Sequence, residues 1–309
     1  MRIAVVGAGG VGGYFGARLV QAGEDVVFLA RGAQLAALRS SGLAIESPRG
    51  NASLGPQRAS SDPAELGPAD AVLLCVKTWQ VADTVPALRA MLAPETCIVP
   101  FQNGVEAAEQ LMRWVGSGPV LGGVAKIVAY MDGPGRIRDV GGPTAAAFAE
   151  LDNRPSARVE RLRDAFRRAR LEVETPPDIH AAVWSKFLFV ATAGGVGAVA
   201  RMPIGVLRRI PETRALLEGG MAEIAALAAA REVCLPADIV GRTMAFVDTL
   251  PAEGTASLQR DIAEGRRSEL DAWSGAVVRL GRTAGVPTPV HAFIYSSLLP
   301  AELRARGEL

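Results

Sequence analysis

Short β-branched runs alternate with stretches of helical periodicity through the first half of this chain. Residues 2–6, 25–30, 69–76 and 97–101 read as buried strands, and 12–22, 33–40, 80–92 and 104–114 read as the helices between them. A short β segment spans 43–54. Gly- and Pro-punctuated β segments occupy 118–150, ahead of an Arg-rich helix at 155–169. Alternating strands and helices predict a parallel, doubly wound sheet. Beyond Thr175-Pro176-Pro177-Asp178 the strand signals fade. Helical patterns then fill 179–200, 205–208, 212–232, 236–249, 257–283 and 288–305. The expected architecture is an α/β domain over residues 1–177 and an all-α domain over 178–309.

Composition narrows the classes. At 309 residues and 49% hydrophobic, the chain has ample core for two domains, and a net charge of +1 gives no support for nucleic-acid or membrane-surface binding. The apolar run 181–200 is long enough to span a membrane. Lys186 and the glycines at 194, 195 and 197 favour a buried core helix instead. The chain starts on its first strand, leaving no room for a signal peptide. Cys75, Cys97 and Cys234 are scattered, as suits a reducing cytoplasm, and with only His180 and His291 no metal site is expected. The apolar helices at 212–232 and 236–249 can pack within their domain or against a second subunit, which leaves a homodimer open. Only three lysines, Lys77, Lys126 and Lys186, occur among 33 basic residues. A retained lysine therefore points to a need for an ammonium group in particular.

The first strand runs straight into Gly7-Ala-Gly-Gly-Val-Gly12. In a Rossmann-type βα turn, Gly7 permits the tight turn, Gly9 removes the side chain facing a pyrophosphate, and Gly12 lets helix and strand pack closely. The helix N-terminus supplies free N–H groups to the anion. Arg31 ends the second strand, where an acid would bind the ribose 2′-hydroxyl of NAD. No acid occurs between Asp25 and Glu46, and an arginine suits the 2′-phosphate of NADPH. Lys186, one turn into the apolar helix that opens the second domain, is the candidate general acid, since burial disfavours a charged ammonium. Ser257 and Glu269 lie in a stretch charged throughout, which by pattern alone reads as a solvated helix face.

These segments together resemble the ketopantoate reductase (2-dehydropantoate 2-reductase) family over nearly the whole length. The matching pieces are the Gly7–Gly12 motif, Arg31, Lys77-Thr-Trp-Gln80, Gln102-Asn103-Gly104, Trp184-Ser-Lys186 and Arg266-Arg267-Ser268-Glu269-Leu270-Asp271. The resemblance implies that Arg31 binds the 2′-phosphate, and that Lys77 and Asn103 line the nicotinamide–ribose side of an interdomain cleft. It implies Lys186 as proton donor, Glu269 as the group that holds substrate and orients the lysine beside the cofactor, and Ser257 as the ligand of the substrate carboxylate. The reaction implied is hydride transfer from NADPH to the keto carbon of a 2-keto acid. The chain departs from the family's asparagines at Val190, Gly194, Ile204 and Gly254. A wall without those amides forfeits recognition of a substrate hydroxyl. The expectation is a 2-keto acid reductase acting on an acid other than ketopantoate. Authentic 2-dehydropantoate 2-reductase activity in pantothenate biosynthesis, and a non-catalytic NADPH sensor, are the alternatives.

Overall fold

The first strand, β1 (Arg2–Val6), is apolar on both faces because both are covered: Ile3 and Val5 enter one hydrophobic cluster, Ala4 and Val6 another. A computed structural model describes all 309 residues. The elements that follow are α1 (Gly10–Gln21), β2 (Asp25–Leu29), α2 (Gly32–Ser40), β3 (Leu43–Glu46), β4 (Ala52–Leu54), β5 (Ala59–Ser60), β6 (Ala71–Leu74), α3 (Val85–Met91), β7 (Cys97–Pro100) and α4 (Ala107–Val115). The main sheet is parallel with strand order β5-β2-β1-β6-β7. The order runs outward from β1 in both directions, so the switch point lies between β1 and β6, where such sheets bind ligands. The unit is completed by β8 (Leu121–Lys126), β9 (Ala129–Met131), β10 (Arg136–Asp139), β11 (Ala145–Glu150), α5 (Ala157–Arg168) and β12 (Glu172–Glu174). These strands form two smaller sheets, β4-β3-β10-β9 and β12-β11-β8. Phe15, Phe101, Phe148 and Phe166 stack at centroid distances of 5.3–5.6 Å and pin α1 and α5 over one face.

Two helices predicted over 80–92 and 104–114 start late. Residues 78–84 form two 3₁₀ turns, and α3 begins only at Val85 with Pro86 in its first turn, where a missing N–H costs nothing. Residues 103–106 are bends, with Gly104 at φ +131°.

The second unit is helical: α6 (Ile179–Ala200), α7 (Ile204–Leu207), α8 (Pro211–Ala230), α9 (Ile239–Thr249), α10 (Ser257–Ala263), α11 (Ala276–Ala284) and α12 (Pro289–Arg306). By contact the chain divides into Met1–Gln102 with Ala107–Ile179, and Asn103–Glu106 with His180–Leu309. By length and composition α6 could cross a membrane, and 61% of its most apolar window is buried inside the protein. The single helix expected over 257–283 is broken. α10 stops at Ala263, Gly265 takes the left-handed conformation at φ +65°, residues 264–270 leave the helix, and a π-helical turn Asp271–Gly275 leads into α11. A π turn widens the ladder by one residue and often marks a functional segment.

His291 on α12 is fully buried. Its Nδ1 lies 3.2 Å from Ser274 Oγ, and its Nε2 lies 3.2 Å from the Gly220 carbonyl and 3.4 Å from Thr192 Oγ1. Burial holds its pKa down at about 4, against a partial upward pull from the Gly220 carbonyl. The unfolded chain therefore takes up a proton below pH ~6.5 that the folded one refuses until about 4. Stability is full above 6.5 and is lost as pH falls through this window. Between pH 7.5 and 4.5 this one residue is expected to cost about 2.5 kcal/mol. Glu223, whose carboxyl is raised by burial and accepts the Val290 and His291 N–H groups, acts with the opposite sign. Urea titrations of the wild type and His291→Gln at both pH values isolate the histidine: the wild type should lose the larger share. Equal losses would remove this account.

Candidate active site

In the first unit the glycine turn is shaped by what surrounds each Cα. Gly7 sits at φ +97°, and a Cβ there would lie 2.7 Å from the Val76 amide at the end of β6. A Cβ on Gly12 would stand 2.2 Å from the Gly7 carbonyl oxygen. A Cβ on Gly9, by contrast, would meet nothing within 4 Å. Gly9 is also the N-cap of α1, where no side chain caps the helix and no acid lies in the first turn. Open space faces uncapped N–H groups, and this arrangement suits a pyrophosphate.

Arg31 ends β2 as the N-cap residue of α2, exposed to solvent. Lys77 ends β6 and opens the first 3₁₀ turn. Its Nζ lies 5.7 Å from the centroid of the Trp79 ring, within reach of a cation–π interaction. Gln102, at the end of β7, carries a function that the pattern reading did not single out. Its Nε2 donates to the Leu74 and Val76 carbonyls at 3.0 Å each, which ties down the end of β6 against Gly7. Its Oε1 is buried with no hydrogen-bond partner. The Gln-Asn-Gly tripeptide at a strand's carboxyl end was the available signal.

The second unit holds Lys186, Ser257, Glu269 and Asn103 together in one body. Asn103 is half-buried there because its strip is tied down at both ends. Gly104 lies beside the Ala272 carbonyl, which a Cβ would meet at 3.4 Å, and Glu106 pairs with Arg279 at 3.0 Å. Lys186 is half-buried in the second turn of α6, between the buried Trp184 and Phe187, whose rings pack edge to face at 6.0 Å. Val190 and Gly194 follow on the same helix face at one-turn intervals. Ser257 opens α10 half-buried. Glu269 is only 5% exposed, so the solvated face expected from its charged neighbourhood is not formed at that residue.

Three of the four departures from the family's asparagines have defined neighbours. A Cβ on Gly194 would lie 2.6 Å from the six-membered ring of Trp273 and 3.2 Å from Ala256, the residue before Ser257. The Ile204 N–H donates to the Gly254 carbonyl at 3.0 Å, and the Ile204 side chain fills the room beside Gly254. Ile204 and Gly194 are buried, and Val190 is half-buried. Trp273 stands one turn after Glu269, its N–H donating to the Glu269 carbonyl at 3.0 Å. Its indole is 1% exposed, and Nε1 has no hydrogen-bond partner. An indole thus occupies the space between the α6 face, the start of α10 and the Glu269 segment.

Comparison with known proteins covers both units. Family models described as "Ketopantoate reductase PanE/ApbA" and "Ketopantoate reductase PanE/ApbA C terminal" match residues 3–153 and 178–302. The chain is 29% identical to an uncharacterized oxidoreductase, YkpB, of Bacillus subtilis, over 96% of this chain and 98% of that one. The crystal structure of 2-dehydropantoate 2-reductase from Geobacter metallireducens superposes with a TM-score of 0.91 at 30% identity, covering 97% of this chain and 100% of that one. D-Mandelate dehydrogenase, solved with NADH and anilino(oxo)acetate, shares the fold with a TM-score of 0.89 at 20% identity, each chain covered to 99%.

Proposed function

This chain belongs to the ketopantoate reductase family, and from that premise we propose that it reduces a 2-keto acid with an apolar side chain to the 2-hydroxy acid, using NADPH. Members of the family are oxidoreductases, and a small keto acid fits them as substrate. The Gly7–Gly12 turn fits the dinucleotide by its open face at Gly9 and the exposed Arg31 at the end of β2. When bound, the nicotinamide supplies the hydride. Arg31 would pair with the 2′-phosphate as a charge-assisted contact, and Lys77 and Asn103 would flank the nicotinamide ribose. Lys186 would hold its ammonium at the carbonyl oxygen, stabilise the developing alkoxide and release a proton to it. Ser257 would bind the substrate carboxylate, and Glu269 would orient the lysine. The free thiols of Cys75, Cys97 and Cys234 suit a cytoplasmic setting.

One observation carries the substrate reading: Trp273 packed against Gly194. An amide at 194 has no room while the indole is there. Val190, Ile204 and Gly254 likewise bring no side-chain hydrogen-bonding group, so of these residues and Trp273 only the indole N–H can donate. The amides that would read a substrate hydroxyl are thus gone, and a single indole N–H is left in their place. The test is NADPH and NADH oxidation over a panel of 2-keto acids that includes ketopantoate. Aliphatic or aromatic acids should exceed ketopantoate in kcat/KM by at least about tenfold, with NADPH preferred. Ketopantoate at or above the apolar acids would restore the 2-dehydropantoate reductase reading. No turnover of any acid would point to a cofactor sensor.

A further inference from the structure

Residues 264–266 are still tied back to α10, with the Arg266 N–H donating to the Asp261 carbonyl at 2.8 Å, and the Glu269 carbonyl accepts from the Trp273 N–H, but at Ser268, just before Glu269, the chain is outside any helix and is held by a second element. That element is α12. Glu302, fully buried on this helix, accepts at Oε2 from the Ser268 N–H at 2.9 Å and from the Ser268 hydroxyl. Ser268 Oγ in turn accepts from the Leu270 N–H at 3.3 Å. One carboxylate oxygen therefore governs the backbone on both sides of Glu269. The other oxygen, Oε1, accepts from Arg306 Nε at 2.7 Å. Further along the same stretch, Tyr295 donates to Asp271 at 3.1 Å and His291 meets Ser274 at 3.2 Å. His291, Tyr295 and Glu302 recur at helical spacing, so one face of α12 splints residues 268–274.

A carboxylate at zero exposure is costly to bury unless its charge and lone pairs are satisfied. Hydrophobic packing alone could seat α12, and its Ile294 and Leu298 already do so. The chain from half-buried Arg306 through buried Glu302 to Ser268 does something that packing does not: it sets a backbone path at one point. We propose that Glu302 is a positioning residue, acting through Ser268 to hold Glu269 in its working orientation. This rests on the reading of Glu269 as part of the substrate site.

Glu302→Gln keeps the shape and removes the charge that gathers the Ser268 donors. Its kcat/KM for the best 2-keto acid of the panel is expected to fall at least about tenfold, because ångström-scale misplacement of a catalytic group costs about that or more. NADPH Kd should stay within about twofold. Leu298→Ala, one turn before Glu302 on the same face of α12, removes buried apolar contact and no hydrogen bond, and serves as the control for loosening the helix. It should lower Tm at least as much and keep kcat/KM within about threefold. Should Glu302→Gln fail to fold, Ser268→Ala removes only the hydroxyl, and it is expected to raise KM while lowering Tm no more than Leu298→Ala does. Unaltered kcat/KM in these variants of an active enzyme, or an equal loss in Leu298→Ala, overturns the proposal. A wild type that reduces no 2-keto acid overturns the functional reading and this inference with it.

Discussion

Lys186→Ala is expected to lower kcat for 2-keto acid reduction about 10³-fold while leaving NADPH affinity within about twofold, the scale of a lost general acid. The lysine sits on α6, in the unit that also holds Ser257 and Glu269, whereas the glycine turn, Arg31 and Lys77 belong to the other unit. Turnover and cofactor binding should therefore separate cleanly. Lys186→Arg should not rescue the rate, because a guanidinium keeps its proton at working pH. Single-turnover NADPH oxidation and a fluorescence titration of NADPH measure the two quantities. Parallel loss of both, or a variant that turns over at the wild-type rate, would remove Lys186 from the chemistry.

Gly12→Ala is expected to lower Tm by roughly 5 °C and to weaken NADPH binding by at least about tenfold. The added Cβ would stand 2.2 Å from the Gly7 carbonyl oxygen and 2.9 Å from the side chains of Val5 and Cys75. A backbone oxygen cannot step aside cheaply, so α1 must shift from the sheet, an overpacking penalty of about 2 kcal/mol. Gly9→Ala makes the contrast. Its Cβ enters empty space, so Tm should hold while NADPH binding falls. Thermal melts with and without NADPH distinguish the two. If Gly12→Ala melts and binds like the wild type, the close-approach account of this turn fails.

Some features were readable in the linear pattern because they are local. Buried parallel strands require uninterrupted apolar runs, and a βα turn against a phosphate requires glycine at set offsets. The helical half was readable for a similar reason, since its apolar periodicity is long. The break inside 257–283 was not. The run of charges there has good helical propensity, and what opposes it is Gly265 locally and Glu302 from more than thirty residues away. The burial of Glu269 was likewise hidden, because its charged neighbours read as a solvated face and only the family resemblance singled it out. Trp273 shows the limit most clearly. The missing amide at Gly194 was visible by position, but the indole that fills its place could be recognised only once α6 and the π turn were set side by side.

The strip Asn103–Glu106 bears on how such a protein could be dismantled or recombined. It is threaded between β7 and α4, yet it packs with the helices through Gly104 and the Glu106–Arg279 pair. A cut at the Pro-Pro junction would give two fragments, neither holding its full set of neighbours. The sheet fragment would carry four residues whose partners are gone, and Arg279 would keep Asp271 but lose Glu106. The halves are thus not freely exchangeable cassettes. A graft that imports a foreign helical half must import this tetrapeptide as well, and so must reach into the middle of the nucleotide-binding half to do it.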